Sequence, residues 1–151
     1  MDNHEKYMQY AIEEAHKAYT LLEVPIGAVI IKDSEVIARA YNLRETAKSP
    51  LAHAEILAIE EAAKKLGGWR LTGATMYVTL EPCPMCAGAI YQSRISTLVY
   101  GADDPKAGAV KSLYSILNDP RLNHQVEVIS GVLADESSKL LKKFFRELRK
   151  K

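Results

Sequence analysis

The apolar and polar positions of this 151-residue chain follow two alternating periods. Met8, Ile12, Ala15, Tyr19 and Leu22 recur at helical spacing, which predicts a first amphipathic helix from about Asn3 to Leu22. Asp2 followed by Glu5 gives it a capping-box start, and Pro25 ends the pattern. Gly27-Ala28-Val29-Ile30-Ile31 is a continuous apolar run with the character of a buried strand. Asp33-Ser34 reads as a turn into Val36 to Tyr41, so these two strands are expected to pair antiparallel. After a polar loop, Leu51 to Leu66 is rich in alanine and leucine and closes on Gly67-Gly68, as a helix does. Thr75 to Leu80 is a third strand, and Pro84 to Ser93 a helix with proline in its first turn. Ile95 to Tyr100, ended by Gly101, is a fourth strand, Val126 to Ile129 a fifth, and Asp135 to about Arg149 a last helix. Strands alternating with helices predict an α/β layered domain with a five-stranded mixed sheet and a hairpin at one side.

Composition narrows the class. The length suits one compact domain spanning residues 1–151, and 48% hydrophobic with 26% charged residues is an ordinary soluble balance. No run approaches the roughly 20 apolar residues of a membrane span, and the acidic start Met1-Asp2-Asn3-His4-Glu5 lacks the apolar core of a signal peptide. Two cysteines spaced as ligands fit a reducing cytoplasm better than a disulfide scaffold. The net charge of +1 conceals an asymmetry. Between Lys139 and Lys151 stand seven basic residues and one acid, Glu147, a net of +6. The rest of the chain holds 13 basic and 18 acidic residues, a net of −5. A basic tail on an acidic body permits a polyanionic partner, although a solvated helix face would look the same.

The chemistry concentrates in two clusters thirty residues apart, His53-Ala54-Glu55 and Pro82-Cys83-Pro84-Met85-Cys86. They offer one imidazole, two thiols and a carboxylate. A structural zinc site takes four protein ligands, whereas a catalytic one takes three and leaves a position open. Three donors plus a spare acid therefore point to a hydrolytic centre. Two thiolates and an imidazole select zinc over magnesium or calcium. Cys83 and Cys86 straddle the first turn of their helix, where the partial positive charge favours thiolate. Glu55, two residues beyond His53, can serve the open position as proton acceptor and donor. Taken singly, a CxxC is often structural and a His-x-Glu is close to noise; jointly, their order carries the assignment.

That order, H-x-E…P-C-x-x-C, matches the known signature of zinc nucleobase deaminases, tRNA adenine deaminases among them. The chain resembles the bacterial tRNA-specific adenosine deaminases, in the cytidine-deaminase-like superfamily, over nearly its whole length. The resemblance runs from Glu23-Val24-Pro25-Ile26-Gly27-Ala28 to Phe144-Phe145-Arg146. It is most specific in Ala52-His53-Ala54-Glu55 and in Tyr77 to Ala89, and extends to Asn42-Leu43-Arg44-Glu45-Thr46, Gly101 to Lys106 and Leu122-Asn123-His124.

The resemblance implies a three-layer α/β/α fold, one Zn2+ per subunit and a homodimer acting on a tRNA anticodon loop. It implies that His53, Cys83 and Cys86 hold the metal. Water activated there attacks C6 of the wobble adenosine while Glu55 shuttles the proton, leaving inosine. Asn42 would bond the purine, the backbone around Ala54 and Glu81 would fix the base edge, and Val24 and Ile26 would form apolar walls. Asp103, Asp104, Lys106 and Asn123 would embrace the anticodon loop, with the basic C-terminal helix and Lys106 or Lys111 meeting phosphates. Lys111 stands where many relatives carry a small residue, and Tyr41 where histidine or tryptophan is frequent. A free guanine or cytosine-nucleoside deaminase would share the zinc site, so only the Asn42 and Asp103–Lys106 segments and the tail separate it. A non-catalytic RNA-binding module with structural zinc would leave Glu55 idle.

Overall fold

Asp33 and Ser34 both adopt positive φ, 51° and 64°, the backbone that a tight hairpin turn demands. They join β1 (Gly27–Lys32) to β2 (Glu35–Tyr41), which pair antiparallel as expected. In the computed structural model, which describes residues 3–150, these strands form one edge of a five-stranded sheet of order β2-β1-β3-β4-β5. β3 (Thr75–Leu80) runs antiparallel to β1, while β4 (Thr97–Ala102) and β5 (Glu127–Ile129) continue parallel to β3, so the sheet is mixed.

Both faces of the sheet are buried, and alternation along each strand divides the core in two. Ala28, Ile30, Met76, Val78, Leu98 and Tyr100 point to one face and pack with Ala54, Ala58 and Ala62 of α2 (Ala54–Leu66) and Ala87 and Ile90 of α3 (Pro84–Gln92). Val29, Ile31, Tyr77 and Val99 point to the other and meet Met8, Ala11 and Ile12 of α1 (Asn3–Thr20). α4 (Ala134–Arg149) lies against β4 and β3 and touches α1 where the Phe144 ring meets the Tyr19 ring edge-on at 5.7 Å. The result is the three-layer α/β/α arrangement.

Some boundaries differ from the sequence pattern, each for a local reason. β4 does not stop at Gly101 but runs through it to Ala102. A Cβ at Gly101 would lie 2.5 Å from the Thr79 carbonyl and 2.9 Å from Ser137 Oγ, so the glycine marks close packing of α4 on the sheet. α2 begins at Ala54 because the preceding residues form turns: the His53 N–H donates to the Leu51 carbonyl at 2.8 Å, and Leu43 N–H to the Ala52 carbonyl at 3.0 Å. A short 3₁₀ turn, Ile116–Asn118, has no counterpart in the pattern. The Asp2 cap and Lys151 lie outside the described residues.

Candidate metal centre and its cavity

α2 and α3 lie side by side and bring their N-termini together near the carboxyl end of β3. His53 is the N-cap of α2 and Cys83 the N-cap of α3, both extended, with φ, ψ of −80°, 151° and −74°, 174°. Neither side chain caps its own helix, so both are free to face the space between. Pro84 follows at the first helical position, where a missing N–H removes no bond. One turn further, Cys86 points back to the same place. His53 Nδ1 lies 3.7 Å from Cys83 Sγ and 3.5 Å from Cys86 Sγ, and the three donor atoms all fall within 4.8 Å of one another.

These separations test the fit to a metal. A tetrahedral zinc ion with nitrogen at about 2.0 Å and sulfur at about 2.3 Å sets nitrogen and sulfur about 3.5 Å apart. The cluster already has that spacing, and its soft donor set is the one zinc prefers. The electrostatics agree. The Cys83 thiol is held down to about 4, first by the Cys86 S–H and then, against the effect of burial, by His53. The same contact with Cys83 raises His53, and Cys86 is raised by Cys83 and by burial.

Glu55, in the first turn of α2, is 4% exposed and is not one of the three donors. Burial, reinforced by the negative charge of Cys83, pushes its carboxyl up to about 7. At neutral pH it can therefore either take or give a proton.

The cluster opens into a cavity of about 770 Å³. Of the residues expected at the site, Val24, Ile26 and Asn42 line it, as do Ala54, Glu81, Asp104 and Lys106, together with His53, Glu55 and Cys83. Cys86 is buried behind them. Asp103 and Asn123 do not line it: Asp103 accepts the Tyr100 hydroxyl at 2.7 Å and pairs with Lys111 Nζ at 3.3 Å, and Asn123 is exposed.

Asn42 is nearly buried, and its amide is oriented by backbone. Nδ2 donates to the Val24 carbonyl at 3.2 Å and Oδ1 accepts the Arg44 N–H at 3.3 Å. One N–H and one lone pair remain for a ligand. The Glu81 side chain, by contrast, is fully engaged. Oε1 accepts the Asp104 N–H (3.0 Å) and the Ser112 hydroxyl (2.5 Å). Oε2 accepts the N–H groups of Val110 (3.1 Å), Lys111 (2.8 Å) and Ser112 (2.9 Å). Burial pushes this carboxyl up, but the five donors outweigh it and hold the group at about 2. A Cβ at Gly108 would sit 2.3 Å from that carboxyl carbon, so only glycine lets the 103–112 loop close around it.

The sequence pattern did not reveal the apolar wall that α4 adds. Leu141, Phe145 and Leu148 line the cavity, flanked by Lys142 and Arg149. A signal existed. Leu140 and Phe144 already make a core stripe, so a second stripe at 141, 145 and 148 is more apolar surface than one sheet contact requires. Phe145 accordingly stays 42% exposed while Phe144 is buried.

Comparison with known proteins agrees with this geometry. The family model of MafB19-like deaminases matches residues 2–149. The chain is similar to the tRNA-specific adenosine deaminase of Bacillus subtilis (strain 168), at 58% identity over 100% of this chain and 94% of that protein. Among solved structures, it is similar to one from a study of A-to-I editing by tRNA:A34 deaminases at the wobble position of transfer RNA. That match has a TM-score of 0.87, 47% identity, and covers 90% of this chain and 99% of the other. A guanine deaminase from Nitrosomonas europaea shares the fold at a TM-score of 0.76 and 25% identity, over 93% of this chain and 83% of its own.

Proposed function

The chain belongs to the MafB19-like deaminases and, among them, to the bacterial tRNA-specific adenosine deaminases, and from that premise we propose that it hydrolyses adenosine to inosine at the wobble position of a tRNA anticodon. The observation that carries the reading is the His53, Cys83 and Cys86 donor set at the end of a large cavity, with Glu55 buried beside it as a fourth, uncommitted group. His53, Cys83 and Cys86 would hold one zinc ion per subunit. When bound, zinc acts as a Lewis acid and brings the pKa of water to about 7.

The chain's own residues account for the remaining work. The reaction adds water at C6 of adenine and releases ammonia. Glu55, poised at about 7, takes a proton from the water oxygen and returns it to the base at N1. It then takes the remaining proton from the new C6 hydroxyl and passes it to the exocyclic nitrogen, so that the C6–N bond breaks, ammonia leaves and the C6 carbonyl of inosine remains. Asn42 offers its free N–H and lone pair to the purine, and Val24 and Ile26 shield the base from water. Ala54 and Glu81 contribute the backbone at the base edge. Arg44, Lys106, Lys142 and Arg149 make the cavity mouth cationic, which suits a nucleotide within a phosphate backbone better than a free base. A loop nucleotide is also the cheapest to extrude from its stack. Asp103, Asp104 and Asn123 belong in this reading to the surface that receives the anticodon loop.

The reading places the enzyme in the cytoplasm as a homodimer of one-domain subunits; the exposed Leu51, Leu113 and Tyr114 are apolar surface that a partner subunit would cover. No helix of the described residues is long and apolar enough to cross a membrane. The test is to offer the purified protein an anticodon stem-loop with a wobble adenosine and, separately, guanine, cytidine and adenosine. Inosine is expected in the RNA alone, with one zinc per chain by metal analysis. Turnover of a free base without inosine in the RNA overturns the reading.

A further inference from the structure

The cavity wall formed by the Asn42 segment is anchored from the opposite side by a residue to which no role attaches above. α1 ends in a double turn in which the Leu22 N–H donates to the Tyr19 carbonyl and the Glu23 N–H to the Ala18 carbonyl, both at 3.0 Å. Glycine normally occupies the left-handed position of such an ending, yet here it is Leu22, at φ 61°. The exposed leucine takes the strained backbone, and the next residue, Glu23, is turned inward to 1% exposure.

A carboxylate that deep must be satisfied. Arg44 favours the Glu23 charge only from a distance, after the hydrogen bonds; the two oxygens accept backbone N–H groups of the loop after β2. Oε1 receives the Glu45 N–H at 3.1 Å and Oε2 the Thr46 N–H at 2.5 Å. These bonds hold the turn that also presents the Arg44 N–H to Asn42 Oδ1. The adjacent Val24 carbonyl receives Asn42 Nδ2, and the Ile26 carbonyl receives the Asn42 N–H at 3.0 Å. Both atoms of the Asn42 amide are thus aimed by groups that Glu23 keeps in place. Asn42 and Arg44 face the cavity; Glu23 does not.

We propose that Glu23 is a positioning residue for substrate binding, its buried carboxylate fixing the Arg44–Thr46 turn so that the Asn42 amide meets the base in one orientation. The inference rests on the functional reading above, in which Asn42 contacts the purine. Glu23 touches neither the base nor the metal donors, so its effect falls on binding more than on turnover.

The test is a double-mutant cycle on the zinc-loaded enzyme with the anticodon stem-loop. E23Q keeps the shape but turns one acceptor into a donor facing a backbone N–H. It is expected to lower kcat/KM by about tenfold, mainly through KM, the effect of losing one charge-assisted hydrogen bond. Its zinc content stays at the wild-type level. In an N42A background the same substitution is expected to change kcat/KM by less than about twofold, because the group it positions is gone. Where E23Q fails to fold, E23D, which keeps the charge and shortens the reach, enters the same cycle. A merely structural role would give losses that multiply in the double variant; that result, or a wild-type kcat/KM in E23Q, overturns the inference. Wild-type enzyme inert on the stem-loop would instead overturn the functional reading, and this inference with it.

Discussion

Glu55 and Glu81 lie on the same cavity, 4% and 2% exposed, yet burial has opposite outcomes for them. Glu55 rises to about 7 because burial removes water and the negative charge of Cys83 adds repulsion. Glu81 feels burial too, but donors from Asp104 to Ser112 surround it and hold it at about 2. One carboxyl can exchange a proton at neutral pH; the other is a permanent anion around which a loop is wound. Depth alone decides neither function nor charge. What faces the oxygens decides both.

The sharpest way to break this comparison is to neutralise each carboxyl in turn. Glu55→Gln is expected to lower kcat on the stem-loop by about a thousandfold or more, the scale of a lost general acid–base group, with zinc content unchanged. Appreciable residual turnover would assign the proton to another group. Glu81→Gln should act on stability instead. Setting an amide against five donors is expected to lower unfolding free energy by about 3 kcal/mol, or about 10 °C in Tm by calorimetry. A normal Tm in that variant would deny Glu81 its anchoring part.

The two groups should also give opposite pH signatures. Glu81 is depressed from 4.5 to about 2, so its stabilisation is complete above pH 4.5 and is lost as pH falls toward 2. Urea titrations of wild type and Glu81→Gln should therefore converge in acid. Glu55 is raised, so its contribution is complete below pH 4.5 and is lost as pH rises through about 7. In the metal-free protein, Glu55→Gln should gain stability over wild type only toward and above neutral pH. The smallest effect belongs to the rim of the loop that Glu81 anchors. Lys111 and Asp103 form a pair with both side chains more than half or half exposed, and Lys111→Ala should change stability by less than about 0.5 kcal/mol. A larger loss would mean that the loop depends on its surface as well as on its buried anion.

Much of the fold was legible in the chain because it is local. Apolar runs bounded by Pro, Gly and Asp-Ser located all five strands, and the Ala-rich stretch before Gly67-Gly68 located α2. Errors fell where a tertiary contact overrode the local signal. Gly101 looks like a strand end but is a close approach, where a side chain would meet first the Thr79 carbonyl of β3, at 2.5 Å, and then Ser137 Oγ of α4, at 2.9 Å. At the site, the cluster of possible metal donors was legible for a similar reason: His53, Cys83 and Cys86 are chemically distinctive and sit at helix starts that sequence marks well, and the fold brings them together. Glu23 and the second stripe of α4 were not, since an acid after a helix and a leucine on one are commonplace until their partners are known.

The sequence by itself determined the element order, the donor set and the presence of a spare acid, because these depend on residue type and short spacing. Only the tertiary structure decided which polar groups surround each of four acids near the cavity. Along the chain Glu55 is marked by its spacing from His53, whereas nothing in Glu23, Glu81 or Asp104 says what its oxygens will meet. Folding gives Glu23 and Glu81 the backbone N–H groups of two loops, engages Asp104 with its own turn at Lys106 and Ala107, and leaves Glu55 buried beside the metal donors without comparable donors. A carboxyl's function depends on the polar groups within about 3 Å of it, and for Glu23 and Glu81 those arrive from residues 22 to 31 positions away.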